Sequence, residues 1–500
     1  MFLGQSIYVL RPLQLGLYPI AKDWATPQIA LRQMLDNYLT SQNSETELTE
    51  LEVDGSLPEW LRGKLVRNGP ALFEAGDTNL RHWFDGYGML HGFTISGGTV
   101  FYHSKFIQSG EYLNSKESGK VQNTVTWGTA SDPCRSIFRR FFATFNAAPS
   151  NTPVSGAKIG SRYFTTSDSR TLNEFDLKDL DTLSTLTTTK RGVMAAHAAF
   201  TSDGRVWNMI SHIGPVVKNE IVSFDESVTH TAHKTMTRSK LYYFHSFGNT
   251  ERYFVTIEIP LYLSFWKMVG SGVTNKSYYE CFEWDEAATN KFHVFDRQTG
   301  TLTTIDSGLK FFYFHTVNAY EEGSTLVIDL CGYDNNKIID DFYLGTLATT
   351  GIPDEHKSSL RRLTLDLAQH SVTMEDLDSN FELPTTNLSY AGTRYRYAYG
   401  VQSSIGCRMF SDSIAKYDFQ KRQQIVWRAN QLIPGEPIFA AAPGAKGEDD
   451  GVLLVVCHDG EKHLACLVVL DAQNLRQIAK TYAPKHIPIS LHGFFYKAKE

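Results

Sequence analysis

The sequence predicts an all-β chain folded as a β-propeller of about seven blades, and three observations point to it. Beyond residue 50 the chain is short apolar runs separated by polar turns almost throughout. One element recurs, a strand ending in an apolar residue plus aspartate, followed by a polar turn and another apolar run. It appears as Phe175-Asp176, Phe224-Asp225, Phe295-Asp296, Leu365-Asp366, Tyr417-Asp418 and Leu470-Asp471, at spacings of 49, 71, 70, 52 and 53 residues. A period near 50 with several strands per unit is a propeller pattern, with longer loops where the spacing widens. Four histidines in apolar or aromatic settings are spread along the chain, and a ring of blades would gather them on one axis.

Along the chain, residues 26–40 form the clearest helix. Thr26 can cap it, Pro27 suits its first turn, and Leu31, Met34, Leu35, Tyr38 and Leu39 share one face. A polar stretch follows, so residues 1–50 are an N-terminal extension and residues 51–500 a single domain. HVFDRQTGTLTTID (293–306) and LVVLDAQNLRQIAKTYA (467–483) are hairpins. The strand-rich segment 60–110 supplies the blade that the six aspartate units lack.

Composition narrows the function classes. Apolar residues make up 42% of 500, enough for a large core. Lys+Arg (48) nearly balances Asp+Glu (54), so no basic face for nucleic acid is expected. The 31 Phe and 24 Tyr suit strands, and would also line a tunnel for a long apolar ligand. Six cysteines without a CxxC pair make neither a disulfide framework nor a zinc module, which reads as an intracellular, reduced protein. No apolar run reaches 18 residues, so no transmembrane helix is expected. The first 22 residues lack acidic groups but carry only Arg11 and Lys22. That is neither a signal peptide nor an arginine-rich mitochondrial presequence, although a mitochondrial location is the alternative to a cytoplasmic one.

The histidines are His197 in MAAHAAF, His245 in LYYFHSFG, His315 in FFYFHTVN and His492 in ISLHGFFY. A histidine among aromatic residues on a strand is buried, and burial favours the neutral ring with a free lone pair. One such residue is usually a satisfied core histidine. Four of them, two in near-repeated contexts, point to neutral nitrogens around one metal.

With these residues in view the chain resembles the carotenoid cleavage oxygenase family, nearest its animal branch of β-carotene oxygenases and the retinal pigment epithelium retinoid isomerohydrolase. The resemblance runs from about residue 50 to 500. It rests on GKLVRNGPALFEAG (63–76), HWFDGYGMLHGF (82–93), SDPCRSIFRRFF (131–142), YYFHSFGNTERYF (242–254), FHVFDRQTG (292–300), FHTVNAYEEG (314–323), GEPIFAAAPGAKGEDDGVLL (435–454) and LHGFF (491–495). It implies a seven-bladed propeller with a helical cap over the metal-bearing face, and one Fe(II) per chain held by His197, His245, His315 and His492. It further implies that Asp168, Glu382 and Glu436 accept the other ring N–H of three ligands, fixing their tautomer and orientation.

Two departures from the family pattern stand out. Asp168 occupies a position where animal members usually have glutamate, so its shorter side chain is expected to reach His245 only through a water or a backbone shift. His197 sits in His-Ala-Ala where the family has His-Pro-His. Both are expected to lower iron affinity or alter rate rather than remove a ligand. His82, His91 and His212 lie near the motifs but outside the ligand positions, and read as structural.

The resemblance implies an Fe(II)-dependent dioxygenase that cleaves a C=C double bond of a carotenoid or apocarotenoid to carbonyl products. The alternatives are a retinoid isomerohydrolase, a stilbene-cleaving oxygenase and an inactive carotenoid-binding propeller. The expected partners are the polyene, dioxygen and, peripherally, a membrane. Phe138, Phe141, Phe142 and Phe145 interleaved with Arg135, Arg139 and Arg140 suit an interfacial segment, and YLSFWKMVG (262–270) could extend it. By resemblance Cys134 could carry a lipid chain.

Overall fold

The computed structural model describes residues 35, 38–121, 127–129, 149–190, 192–214, 216–274 and 276–498. Their strands form seven sheets of four or five strands, with a three-stranded and a two-stranded sheet besides. The seven sheets are the blades of the propeller. Blade one spans 155–187, blade two 193–238, blade three 248–306, blade four 312–379 and blade five 381–427. Blade six spans 432–482 and takes in Val53–Gly55 at its outer edge. Blade seven joins the two ends of the described chain. The C-terminal strand His492–Lys497 pairs with Gly63–Leu72, followed outward by Tyr87–Ser96, Thr99–Phe106 and Thr46–Leu51. That pairing closes the ring and leaves no open sheet between first and last blade.

The recurring aspartates mark one place in blades one to six: the end of the third strand from the axis. Each side chain accepts two backbone N–H groups of the following turn. Asp176 accepts from Lys178 and Asp179, Asp366 from Ala368 and Gln369, and Asp471 from Gln473 and Asn474. Asp225, Asp296 and Asp418 do the same. In five of the six turns the residue four positions on (Leu180, Gly300, His370, Arg422 or Leu475) has a left-handed φ between 52° and 70°. Aspartate recurs because it satisfies donors that this tight turn leaves unpaired.

Innermost strands neighbour one another around the axis. Phe312–Glu322 lies between Gly248–Asn249 and Phe381–Thr385, and His492–Lys497 lies between Leu432–Ala441 and Ser155–Ile159. Outside the blades the described residues hold few helices. Met268 of Phe265–Thr274, Ile338 and Ile339 of Ile338–Asp341, and Leu347 of Leu344–Thr349 enter one aromatic cluster with Tyr243, Phe312 and Phe314.

The strand Thr46–Leu51 belongs to blade seven, so the sheet begins a few residues before the expected boundary at 50. Of the helix expected over 26–40, only Leu35 and residues 38–40 are described; Leu35 is helical, and Tyr38 is buried. SDPCRSIFRRFF, with Cys134, lies outside the described residues.

Candidate metal centre

Each blade presents one of the seven residues expected at the site. His197 comes from blade two, His245 from the entry to blade three, His315 from blade four and His492 from blade seven. Asp168, Glu382 and Glu436 come from blades one, five and six. His315 and His492 lie on innermost strands, as expected. His197 and His245 do not: each falls in a break of the inner edge, between Val193–Met194 and Ala199–Phe200, and between Leu241–Tyr242 and Gly248–Asn249. The backbone there leaves the ladder, and the His197 N–H donates to the His245 carbonyl at 3.3 Å, tying the two breaks together.

One ligand atom from each histidine lies within 4.8 Å of the others. The ring of His197 stands edge-on to those of His245, His315 and His492, at centroid distances of 4.8, 5.1 and 4.4 Å. Three carboxylates hold the outward nitrogens. His245 Nδ1 meets Asp168 Oδ2 at 2.8 Å, His315 Nδ1 meets Glu382 Oε2 at 2.7 Å, and His492 Nδ1 meets Glu436 Oε1 at 2.8 Å. A carboxylate only accepts, so the ring proton sits on Nδ1 and Nε2 turns a lone pair inward.

That arrangement fits a cation. His315 Nε2 and His492 Nε2 face each other at 3.1 Å, two lone pairs that repel with nothing positive beside them. The buried Nε2 of His197 has no hydrogen-bond partner. Burial and the neighbouring rings hold His197 and His492 well below the usual imidazole range, so both are neutral donors at physiological pH.

The carboxylates are held in turn. Tyr243 Oη donates to Asp168 Oδ2 at 2.9 Å, and Tyr333 Oη donates to Glu382 Oε1 at 2.8 Å. Burial, reinforced by the adjacent carboxylate, pushes both phenols well up, so they stay protonated and donate. Glu436 has a charged partner instead: fully buried Arg67 donates from Nη1 at 2.7 Å, and the Gly493 N–H donates at 2.8 Å. Burial pushes the Glu436 carboxyl up to about 7, against the pull of Arg67 and the Gly493 amide. Arg67 lies opposite Gly493 in the sheet, where a Cβ would come 2.6 Å from Arg67 Cδ and 2.9 Å from the Val66 carbonyl. The glycine of LHGFF is the space the guanidinium needs.

Asp168 reaches His245 directly, so of the two routes expected from its length the bridging water is not needed. Its other oxygen accepts the Ala196 N–H at 2.8 Å, so the segment before His197 is drawn against it. The carboxylate thus ties two ligand segments together. His82, His91 and His212 lie outside the four-histidine cluster and are bonded elsewhere. His82 Nδ1 accepts the Phe84 N–H and its Nε2 meets the Ile339 carbonyl, His91 pairs with Tyr102 and His212 with Glu220.

Arg67, Tyr243 and Tyr333 were not singled out from sequence. A charge inside the apolar strand GKLVRNGPAL was the available signal for Arg67, and Tyr243 lies two residues before a ligand. Aromatic rings border the histidines. Phe314 lies 5.5 Å from His245 and Tyr243 stacks on Phe312 at 5.9 Å, with Phe84, Trp127, Phe282 and Phe342 beyond.

Comparison with known proteins finds matches over most of the chain. The family model described as retinal pigment epithelial membrane protein matches residues 39–497. The mitochondrial carotenoid-cleaving dioxygenase of Macaca fascicularis is 30% identical, covering 88% of this chain and 90% of its own. The human β,β-carotene 15,15'-dioxygenase is also 30% identical, over 91% and 93% of the two chains. A cobalt-substituted apocarotenoid oxygenase of Synechocystis superposes with a TM-score of 0.82 at 25% identity, covering 94% of this chain and 99% of its own. The chain belongs to the retinal pigment epithelial membrane protein family, that of the carotenoid cleavage oxygenases.

Proposed function

We propose that this protein is an Fe(II)-dependent dioxygenase that cleaves a carbon–carbon double bond of a carotenoid or apocarotenoid, giving aldehyde or ketone products. The observation that carries the reading is the set of inward imidazole lone pairs, two of them 3.1 Å apart, beside an aromatic wall. His197, His245, His315 and His492 would hold one iron, which when bound supplies a place to bind and activate dioxygen. Four neutral donors leave the ion its full charge, and Asp168, Glu382 and Glu436 return negative charge through the rings they orient.

The remaining work of this chain is placement. The rings of Phe84, Phe312, Phe314 and Phe342 offer a dry surface to a polyene and keep water from the reacting carbons. Every carboxylate at the site already accepts from an imidazole, so no protein acid or base is assigned. The bond cut is set by how far the polyene passes the histidines.

Peripheral membrane contact is part of the reading. Trp266, on the helix Phe265–Thr274, is 79% exposed beside Phe265, which suits insertion at an acyl boundary. Among the described residues no helix is long and apolar enough to cross a membrane. A cytoplasmic location fits this contact, and the mitochondrial relatives support the alternative.

The test is turnover of a carotenoid under isotopically labelled dioxygen. The reading expects oxygen uptake and label in the carbonyl products. Isomerisation or ester cleavage without oxygen uptake would replace it with the isomerohydrolase activity.

A further inference from the structure

The aromatic wall contains one polar atom without a partner. The indole Nε1–H of Trp127 is buried and donates to nothing. Among the described residues no other buried indole N–H or phenol O–H is left so. Trp83 donates to the Ile489 carbonyl, Trp207 to Thr201, Tyr243 to Asp168, Tyr313 to the Ser246 carbonyl and Tyr333 to Glu382. A buried donor left unpaired costs about 1–3 kcal/mol, which is why nearly all are satisfied.

Trp127 is also held firmly. The Tyr279 N–H donates to its carbonyl at 2.8 Å. Asp85 anchors the next two residues, accepting the Gly128 N–H at 3.0 Å and the Thr129 hydroxyl. The indole stacks on Tyr279 at 5.7 Å and packs against Tyr243 at 5.4 Å, so it stands one ring away from His245. A rigid, desolvated donor placed this way costs little to reorganise when an acceptor arrives.

We infer that Trp127 is a substrate-recognition residue, and that the preferred substrate is an oxygenated polyene whose hydroxyl or carbonyl oxygen accepts from the indole. This rests on the reading of the site as a polyene-cleaving centre. A hydrocarbon carotene leaves the donor unpaired, and sites built to hydrogen-bond a substrate group discriminate against analogues that lack it.

The test is equilibrium binding to the metal-free protein, followed by polyene absorbance, with β-carotene, zeaxanthin and β-apo-8'-carotenal as probes. The last two place oxygen on the ring and on the chain end. The inference expects at least one oxygenated probe to bind about tenfold or more tightly than β-carotene. In Trp127→Phe, which keeps an aromatic ring and removes the donor, that ratio falls towards one. Equal affinity of wild type for all three, or a ratio that survives Trp127→Phe, overturns the inference. If the variant does not fold, the wild-type ratio alone decides. Failure of all three polyenes to bind would instead contradict the polyene-cleaving reading.

Discussion

Asp168 Oδ2 lies 2.8 Å from His245 Nδ1 and also accepts the Tyr243 hydroxyl at 2.9 Å. A carboxylate one methylene shorter than the family's usual glutamate thus reaches its histidine with a phenol beside it. Tyr243→Phe is expected to weaken metal binding about tenfold, and Asp168→Ala towards a hundredfold, since the imidazole loses first a brace and then its acceptor. Asp168→Glu is expected to gain nothing in wild type, because Asp168 already meets the imidazole at 2.8 Å and a longer side chain must displace the phenol bonded beside it. It recovers affinity in the Tyr243→Phe background. Metal titrations of the four variants check this; a gain from Asp168→Glu alone would show that Asp168 is simply too short.

Glu382 and Glu436 differ in what holds them, and their variants should differ too. Either change to Gln is expected to weaken metal binding by about 10–100-fold, as the charge behind the imidazole is lost. Glu436→Gln also removes the counter-charge of buried Arg67, which keeps its hydrogen bonds to the Leu491 carbonyl and Ser490, and breaking a buried ion pair costs about 3–5 kcal/mol. Thermal unfolding of the metal-free variants should show a large loss for Glu436→Gln and a small one for Glu382→Gln. Equal losses would mean that the Leu491 carbonyl and Ser490 satisfy Arg67 without a counter-charge.

The turn aspartates give a control far from the metal. Asp366 accepts the Ala368 and Gln369 N–H groups at 2.9 Å each. Asp366→Ala is expected to cost about 1 kcal/mol of stability, as for loss of a helix cap, with metal affinity unchanged. Denaturant unfolding and a metal titration together check it.

These turns explain how much of the architecture could be read in advance. An aspartate that must satisfy turn donors leaves its mark at a fixed place in every repeat, so six blades were countable from sequence. The histidines were legible for a similar reason, since a polar ring among aromatics needs a partner to remain buried. What holds the carboxylates was not legible. Arg67 meets Glu436 across 369 residues and Tyr333 meets Glu382 across 49, and no local pattern encodes such pairs. The positions of His197 and His245 in strand breaks were missed because an apolar run reads as strand whether or not its inner ladder is interrupted.

Acid should destabilise the fold through histidines outside the site. Burial holds His82 and His91 down at about 3. Between about 6.5, the unfolded value, and 3, the unfolded chain binds protons that the folded chain refuses, so stability falls as pH falls. The slope is about 1.4 kcal/mol per pH unit for each ring. Asp85 acts in the opposite sense: burial raises it to about 6, and acid relieves that cost. The check is the stability change from pH 7 to 5 in the metal-free protein. It should be smaller in His91→Gln, whose side chain does not titrate; an unchanged slope would show that His91 takes up its proton without unfolding.

The most direct test of the whole account is the metal content of the purified protein after anaerobic reconstitution with ferrous iron, compared with His315→Ala. The account predicts one tightly bound iron per wild-type chain. It predicts loss of that iron in the variant while the fold remains, because His315 is one of the facing lone pairs. Full iron retention in His315→Ala, or a folded wild type that binds none, would contradict it.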